Sequence, residues 1–91
     1  MSESLRFDVA LFELRLFPSR SAATAAIARG EARLNGRAVK PSHAVKPGDR
    51  ITLESPGSLR TWELLELPRR SMSKVSAQAL LRACAPDDAR E

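Results

Sequence analysis

The sequence predicts an α+β fold, with two packed N-terminal helices on a small, mostly antiparallel twisted sheet and a C-terminal helix on the other side. Three observations carry that expectation. Apolar residues recur at a helical period through residues 7–17 and again through 23–27, and the period changes to two after Gly30. Asn-Gly and Pro-Gly pairs then punctuate short apolar runs as far as Leu67.

Ser4 is placed to cap a first helix whose apolar positions Phe7, Leu11 and Leu14 fall at i, i+4 and i+7, with Ala10 and Phe17 extending the stripe. Asp8 lies in its first turn, where a carboxylate suits the helix dipole. Pro18 disfavours helical geometry at Phe17, which ends the helix at about Leu16. Ser19 caps a second helix, about Arg20 to Arg29, with Ala23, Ala26 and Ile27 inward and Gly30 as a left-handed C-terminal cap.

Ala32-Arg33-Leu34 and Arg37-Ala38-Val39 flank Asn35-Gly36, a hairpin signal because both central residues of a type I′ turn need positive φ. Turns follow at Lys40-Pro41-Ser42 and Lys46-Pro47-Gly48-Asp49, with Val45 between them and a strand from Arg50 to Leu53. After the Ser55-Pro56-Gly57-Ser58 turn, Leu59 to Leu67 reads as a strand with Trp62 and Leu64 on one face and Leu65 and Leu67 on the other. Pro68 to Ser71 links it to an amphipathic helix from about Ser73 to Cys84, with Val75, Ala79, Leu80 and Ala83 inward, and residues 86–91 read as a frayed tail. The whole is expected to be one domain, with a core motif over residues 6–53.

The charge is carried by arginine, twelve against three lysines, and is concentrated. Between Arg15 and Arg50 there are eight basic and two acidic side chains, whereas residues 54–91 hold six of each. Arginine's planar fork matches phosphate oxygens two at a time, so this excess points to a phosphate-rich partner. Cys84 is alone, which excludes an internal disulfide and suits a reducing cytoplasm. No apolar run reaches membrane-spanning length and the N-terminus lacks an apolar leader, so a soluble cytoplasmic protein is expected, without a membrane partner.

Catalytic and metal constellations are missing from the sequence. His43 is the only histidine, no glycine-rich phosphate loop is present, and the carboxylates are scattered among basic neighbours. A non-enzyme without cofactor or metal is the expectation.

The corner Pro18-Ser19-Arg20-Ser21 is different. Arg20 opens a helix, where a cation opposes the dipole, so a compensating anion is expected. Backbone N–H groups, the Ser19 and Ser21 hydroxyls and Arg20 together form a phosphate pocket that Arg15, one turn earlier, joins. The alternative is that Arg20 pairs with Asp8 or Glu13. Arg37, Lys40, Ser42 and Lys46 form a second basic cluster on the hairpin and its turn. The aromatic residues Phe7, Phe17 and Trp62 suit the core, which disfavours a stacking reader of single strands and favours structured RNA. A DNA-binding helix-turn-helix is a weaker fit, because the second helix offers alanines, Thr24 and Arg29 rather than base-reading amides. A protein adapter whose basic face docks an acidic partner is the other alternative.

Arg6-Phe7-Asp8, Leu11, Arg15, Ser19-Arg20, Ala23, Ala26-Ile27, Gly30, Leu34-Asn35-Gly36, Val39 to Ser42, Val45 and Gly48 to Ile51 resemble the αL RNA-binding domain named after ribosomal small-subunit protein four. In that family the two helices and the hairpin form the RNA face, which implies roles for Asn35 in the hairpin and for Arg6 at the edge of the first cluster. Arg60-Thr61-Trp62, Arg69-Arg70 and the Ala/Leu-rich C-terminus look like the small heat-shock ribosome-associated proteins. That resemblance implies binding of ribosomal RNA on the large subunit and a role in the stress response. Phe12 and Pro18 depart from the family pattern, the second by removing a basic residue beside Ser19.

Overall fold

The computed structural model describes residues 4–84. The chain runs β1 (Leu5–Arg6), α1 (Phe7–Glu13), α2 (Arg20–Ala28), β2 (Ala32–Leu34), β3 (Ala44–Val45), β4 (Arg50–Ser55), β5 (Ser58–Leu64), α3 (Lys74–Gln78) and β6 (Leu81–Cys84). Strands β2, β4, β5 and β6 form an antiparallel sheet in the order β2-β4-β5-β6, and β1 pairs with β3 in a separate two-stranded ribbon. The α+β architecture is therefore as the sequence predicts, with differences at both ends and after the Asn35-Gly36 turn.

Helix α1 begins three residues after Ser4, which caps nothing. Leu5 and Arg6 pair with Val45 and Ala44 instead, and the first helical N–H groups are satisfied from far along the chain. Phe7 donates to the His43 carbonyl at 2.8 Å and Asp8 to that of Pro41 at 3.1 Å. At its other end α1 stops at Glu13 rather than Leu16. Arg15 takes a left-handed φ of 64°, its N–H donates to the Phe12 carbonyl, and that of Leu16 donates back to Leu11. This is a Schellman termination with arginine in the place glycine usually fills.

Helix α2 has the predicted limits to within one residue. The Ser19 hydroxyl accepts from the Ala22 N–H at 3.0 Å, and Gly30, at φ 78°, closes the far end with the same pair of backbone bonds. Its buried positions are Ala23, Ala26 and Ile27, and the two alanines bring α2 close against α1. Phe7 and Leu11 of α1 and Leu14 at its C-terminal cap meet Ile27, Leu34, Val45, Ile51 and Leu64 in one core. Each of these fully buried large side chains contributes about 1.5–3 kcal/mol in transfer terms.

Asn35 (φ 54°) and Gly36 (φ 80°) make the predicted turn, but Leu34 and Arg37 are the sole pair it joins. Residues 37–39 do not continue as a strand, because the inner neighbour of β2 is β4, with Ala32 opposite Leu53 and Leu34 opposite Ile51. The Asn35 side chain explains this. Its Nδ2 donates to Asp49 and its Oδ1 accepts from the Arg50 N–H, fastening the turn to the start of β4.

Strand β5 ends at Leu64, short of Leu67, and Leu65 is exposed. The long C-terminal helix is replaced by the five residues of α3 and by β6. Val75 is 82% exposed, and Ala77 is the buried position of α3. The open edge of β5 decides the outcome. Residues 81–84 pair along it, Leu81 opposite Leu64 and Cys84 opposite Thr61, satisfying backbone groups that a helix would have left unpaired. The expected tail, residues 86–91, lies outside the described residues. Among those described, no helix is long and apolar enough to cross a membrane.

Candidate nucleic-acid interface

Arg20, Ser21 and Thr24 on one side of α2 face Arg6 across an open cleft of about 640 Å³, with Asp8 beneath. Asp8 is 2% exposed and its carboxylate is the hub of the corner. Oδ1 accepts from Arg6 Nε at 3.1 Å and from the Val9 N–H at 2.7 Å; Oδ2 accepts from Arg6 Nη2 at 3.0 Å and from the Thr24 hydroxyl at 3.2 Å. Burial pushes the Asp8 carboxyl up, but the Arg6 fork, the Val9 N–H and the Thr24 hydroxyl outweigh it, and the net displacement is downward. Asp8 is therefore ionised near neutral pH.

The consequence for Arg6 is that two of its five N–H groups are spent on Asp8, while the side chain remains 52% exposed. It is held rigidly and still offers donors outward, but as half of a neutral pair. Among the described residues no carboxylate pairs with Arg20, which supplies the uncompensated charge. The alternative pairing of Arg20 is not realised, because Asp8 is occupied by Arg6 and Thr24 and the Glu13 carboxylate accepts from the Ser71 N–H at 3.3 Å. Arg20 and Ser21 are both exposed, and Ser19 keeps its hydroxyl proton for an incoming acceptor while its oxygen caps the helix.

Of the second predicted cluster, the backbone brings the segment around Ser42 to the start of α1. The His43 and Pro41 carbonyls cap α1, and Arg6 pairs with Ala44, so Ser42 is fixed at the end of α1 where Arg6 stands. Arg37, Lys40, Ser42 and Lys46 are all exposed along this segment, with Lys46 Nζ 4.0 Å from Asp49. None of the four lines the Arg20 cleft itself. Asn35 does not project from it as a free ligand, because both ends of its amide are engaged by Asp49 and Arg50.

This arrangement of two helices, docked hairpin segment and first residues of β4 falls within residues 5–51, the span matched by the family model of the S4 domain. The chain belongs to the S4 domain family. The S4 domain is an RNA-binding domain, so the basic corner is the part of the chain that family membership bears on. Beyond that span, the fold is similar to a trimeric structure of heat shock protein 15 from Vibrio cholerae. The TM-score is 0.85 and the sequence identity 28%, over 97% of this chain and 89% of that one. No curated protein matches the sequence.

Arg15 is the predicted site residue that stands apart from the corner. Because α1 stops early and Arg15 turns left-handed, the side chain is not one helical turn before the corner. Its Nε and Nη2 both donate to the Met72 carbonyl, at 3.0 and 2.8 Å, and its own carbonyl accepts from Gln78 Nε2 at 3.3 Å. It staples the segment after β5 to the end of α1 and lines a different cleft. Sequence reasoning also missed the Asp8–Thr24 contact. Sixteen residues separate the two, and the sole local hint is the Arg6-Phe7-Asp8 element of the family resemblance.

Proposed function

We propose that this chain binds structured RNA without catalysing a reaction, and that its target is ribosomal RNA in a ribosomal subunit. The observation that carries this is the uncompensated Arg20 beside the Arg6–Asp8 pair, at a capped helix start within the S4 span. Arg6, Ser19, Arg20 and Ser21 take one group of phosphates, and Arg37, Lys40, Ser42 and Lys46 take a second along the docked segment. Asn35 positions the second group rather than touching RNA. The ribosomal target rests on the similarity to heat shock protein 15 and on the family resemblance of the C-terminal half. It carries with it a cytoplasmic setting and a link to stress.

Geometry favours shape and phosphate recognition over base stacking at this face. Phe7 is buried, Phe17 packs against the core and Trp62 lies on β5, so none of them lines the Arg20 cleft. The test is a filter-binding titration with ribosomal RNA, competed by duplex DNA at matched salt. Arg20→Ala is expected to weaken binding by roughly 10-fold or more, the worth of a charge-assisted contact of about 1.5–3 kcal/mol. Arg82→Ala, whose side chain pairs with Glu63, is expected to have little effect. Equal losses, or duplex DNA competing as well as RNA, contradict the reading.

A further inference from the structure

At the opposite end of α1 from Arg6 lies a second cleft of about 450 Å³ that none of the S4 corner residues enters. Its floor is one face of the β4–β5 hairpin, where Leu53 stands opposite Arg60 and Ser55 opposite Ser58, with Trp62 next along. Its walls are the end of α1, at Arg15 and Leu16, and α3, at Lys74 and Gln78. The three cations come from three separate parts of the fold, and among the described residues no carboxylate lines the cleft.

Two of those cations are unspent. Arg15 is fixed on the Met72 carbonyl, but among the described residues neither Arg60 nor Lys74 makes an ion pair. The Arg60 guanidinium lies over the Trp62 ring, 5.1 Å from its centroid. Such stacking holds the planar group flat while leaving its N–H edges available, which lowers the ordering cost of a phosphate contact. The Ser55 and Ser58 hydroxyls supply neutral donors beside it.

We infer that this cleft is a second RNA-backbone site, in which Arg60 and Lys74 bind a phosphodiester group distinct from those at the Arg20 face. This rests on the RNA reading proposed above and extends it. The seven residues of α1 rise roughly 10 Å, so a single phosphate cannot serve both ends. The bound RNA either passes around the C-terminal end of α1 or presents two separate segments. The exposed Arg69 and Arg70 belong to this side of the molecule, because the loop that carries them is tied to α1 through Ser71 to Glu13 and Met72 to Arg15.

Trp62 is the only tryptophan in the chain, so its fluorescence reports on this cleft alone. The experiment titrates the full chain with a labelled ribosomal RNA fragment, following RNA anisotropy and Trp62 emission together. Wild type is expected to show both signals. Arg60→Gln with Lys74→Gln, at two exposed positions whose side chains make no hydrogen bond among the described residues, is expected to lose the emission change and bind roughly 10-fold more weakly. Its salt slope should be shallower by about one, for the one phosphate lost. Arg20→Gln is expected to keep the emission change at saturating RNA. RNA binding by wild type with silent Trp62, or an unchanged slope and affinity in the double variant, overturns the second site and leaves the Arg20 face standing. Absence of any RNA binding by wild type overturns both.

Discussion

Asp8 couples the helix corner to the docked hairpin segment, and Asp8→Ala is the perturbation that tests this coupling most sharply. The carboxylate satisfies the Val9 N–H in the first turn of α1, a capping contact worth about 1 kcal/mol, and the Thr24 hydroxyl, worth about the same. The Arg6 pair adds less than about 1 kcal/mol, because the guanidinium is half exposed and water screens it. A total loss of about 2–3 kcal/mol at pH 7 is expected. With a urea m-value of about 1 kcal/mol/M for a small domain, the unfolding midpoint followed by far-UV circular dichroism falls by roughly 2–3 M.

Asp8→Asn is expected to cost less than Asp8→Ala, since one oxygen remains for Val9 and the Thr24 hydroxyl rotates to accept from the amide. It also isolates the charge. The folded carboxyl titrates below its unfolded value of about 3.9, so the charge-dependent stabilisation is complete above that pH and is lost as pH falls through the folded value. The gap between wild type and Asp8→Asn therefore narrows on acidification from pH 5 to pH 2. A gap below about 0.5 kcal/mol for Asp8→Ala at pH 7, or a gap for Asp8→Asn that does not change with pH, refutes the role assigned to this hub.

Asn35→Ala removes two side-chain hydrogen bonds and places alanine at φ 54°; a loss of about 2 kcal/mol is expected, seen as a fall in Tm of roughly 8–16 °C. Val75→Ser is expected to change stability by less than about 0.5 kcal/mol in urea unfolding, as befits an exposed side chain, whereas an inward position in an amphipathic helix would cost several times more. Leu64→Ala, at the junction of β5 with the core, is expected to cost about 2–5 kcal/mol, and a loss below 1 kcal/mol in the same assay would contradict its burial.

Helix α2 and the Asn35-Gly36 turn are legible in the sequence because their signals are local: a serine that caps, a glycine that closes, and two adjacent residues with positive φ. The start of α1 is not, because the carbonyls that cap it belong to Pro41 and His43, more than thirty residues later. Its end is hidden for another reason: nothing in the sequence marks Arg15 as a left-handed residue, since arginine replaces the usual glycine and is held there by its bonds to Met72 and Gln78. The apolar spacing through Leu80 and Leu81 suits a helix face or a short strand equally, and the free edge of β5 chose the strand. Charge and capping mark Arg20 and Ser21 as candidate site residues, and both stand exposed at the start of α2. The Arg60 and Lys74 cleft is invisible until the hairpin and α3 close over the end of α1.

We propose that the Arg20 corner of this S4 domain holds RNA by its phosphates. The most direct measurement is the affinity of the full chain for a ribosomal RNA fragment between 50 and 200 mM salt, for wild type and Arg20→Gln, whose exposed side chain makes no ion pair among the described residues. The expected result is a linear fall of log affinity with log salt, reduced in slope by about one in the variant at unchanged folding stability. Affinity independent of salt, or a variant with the slope and affinity of wild type, would contradict it.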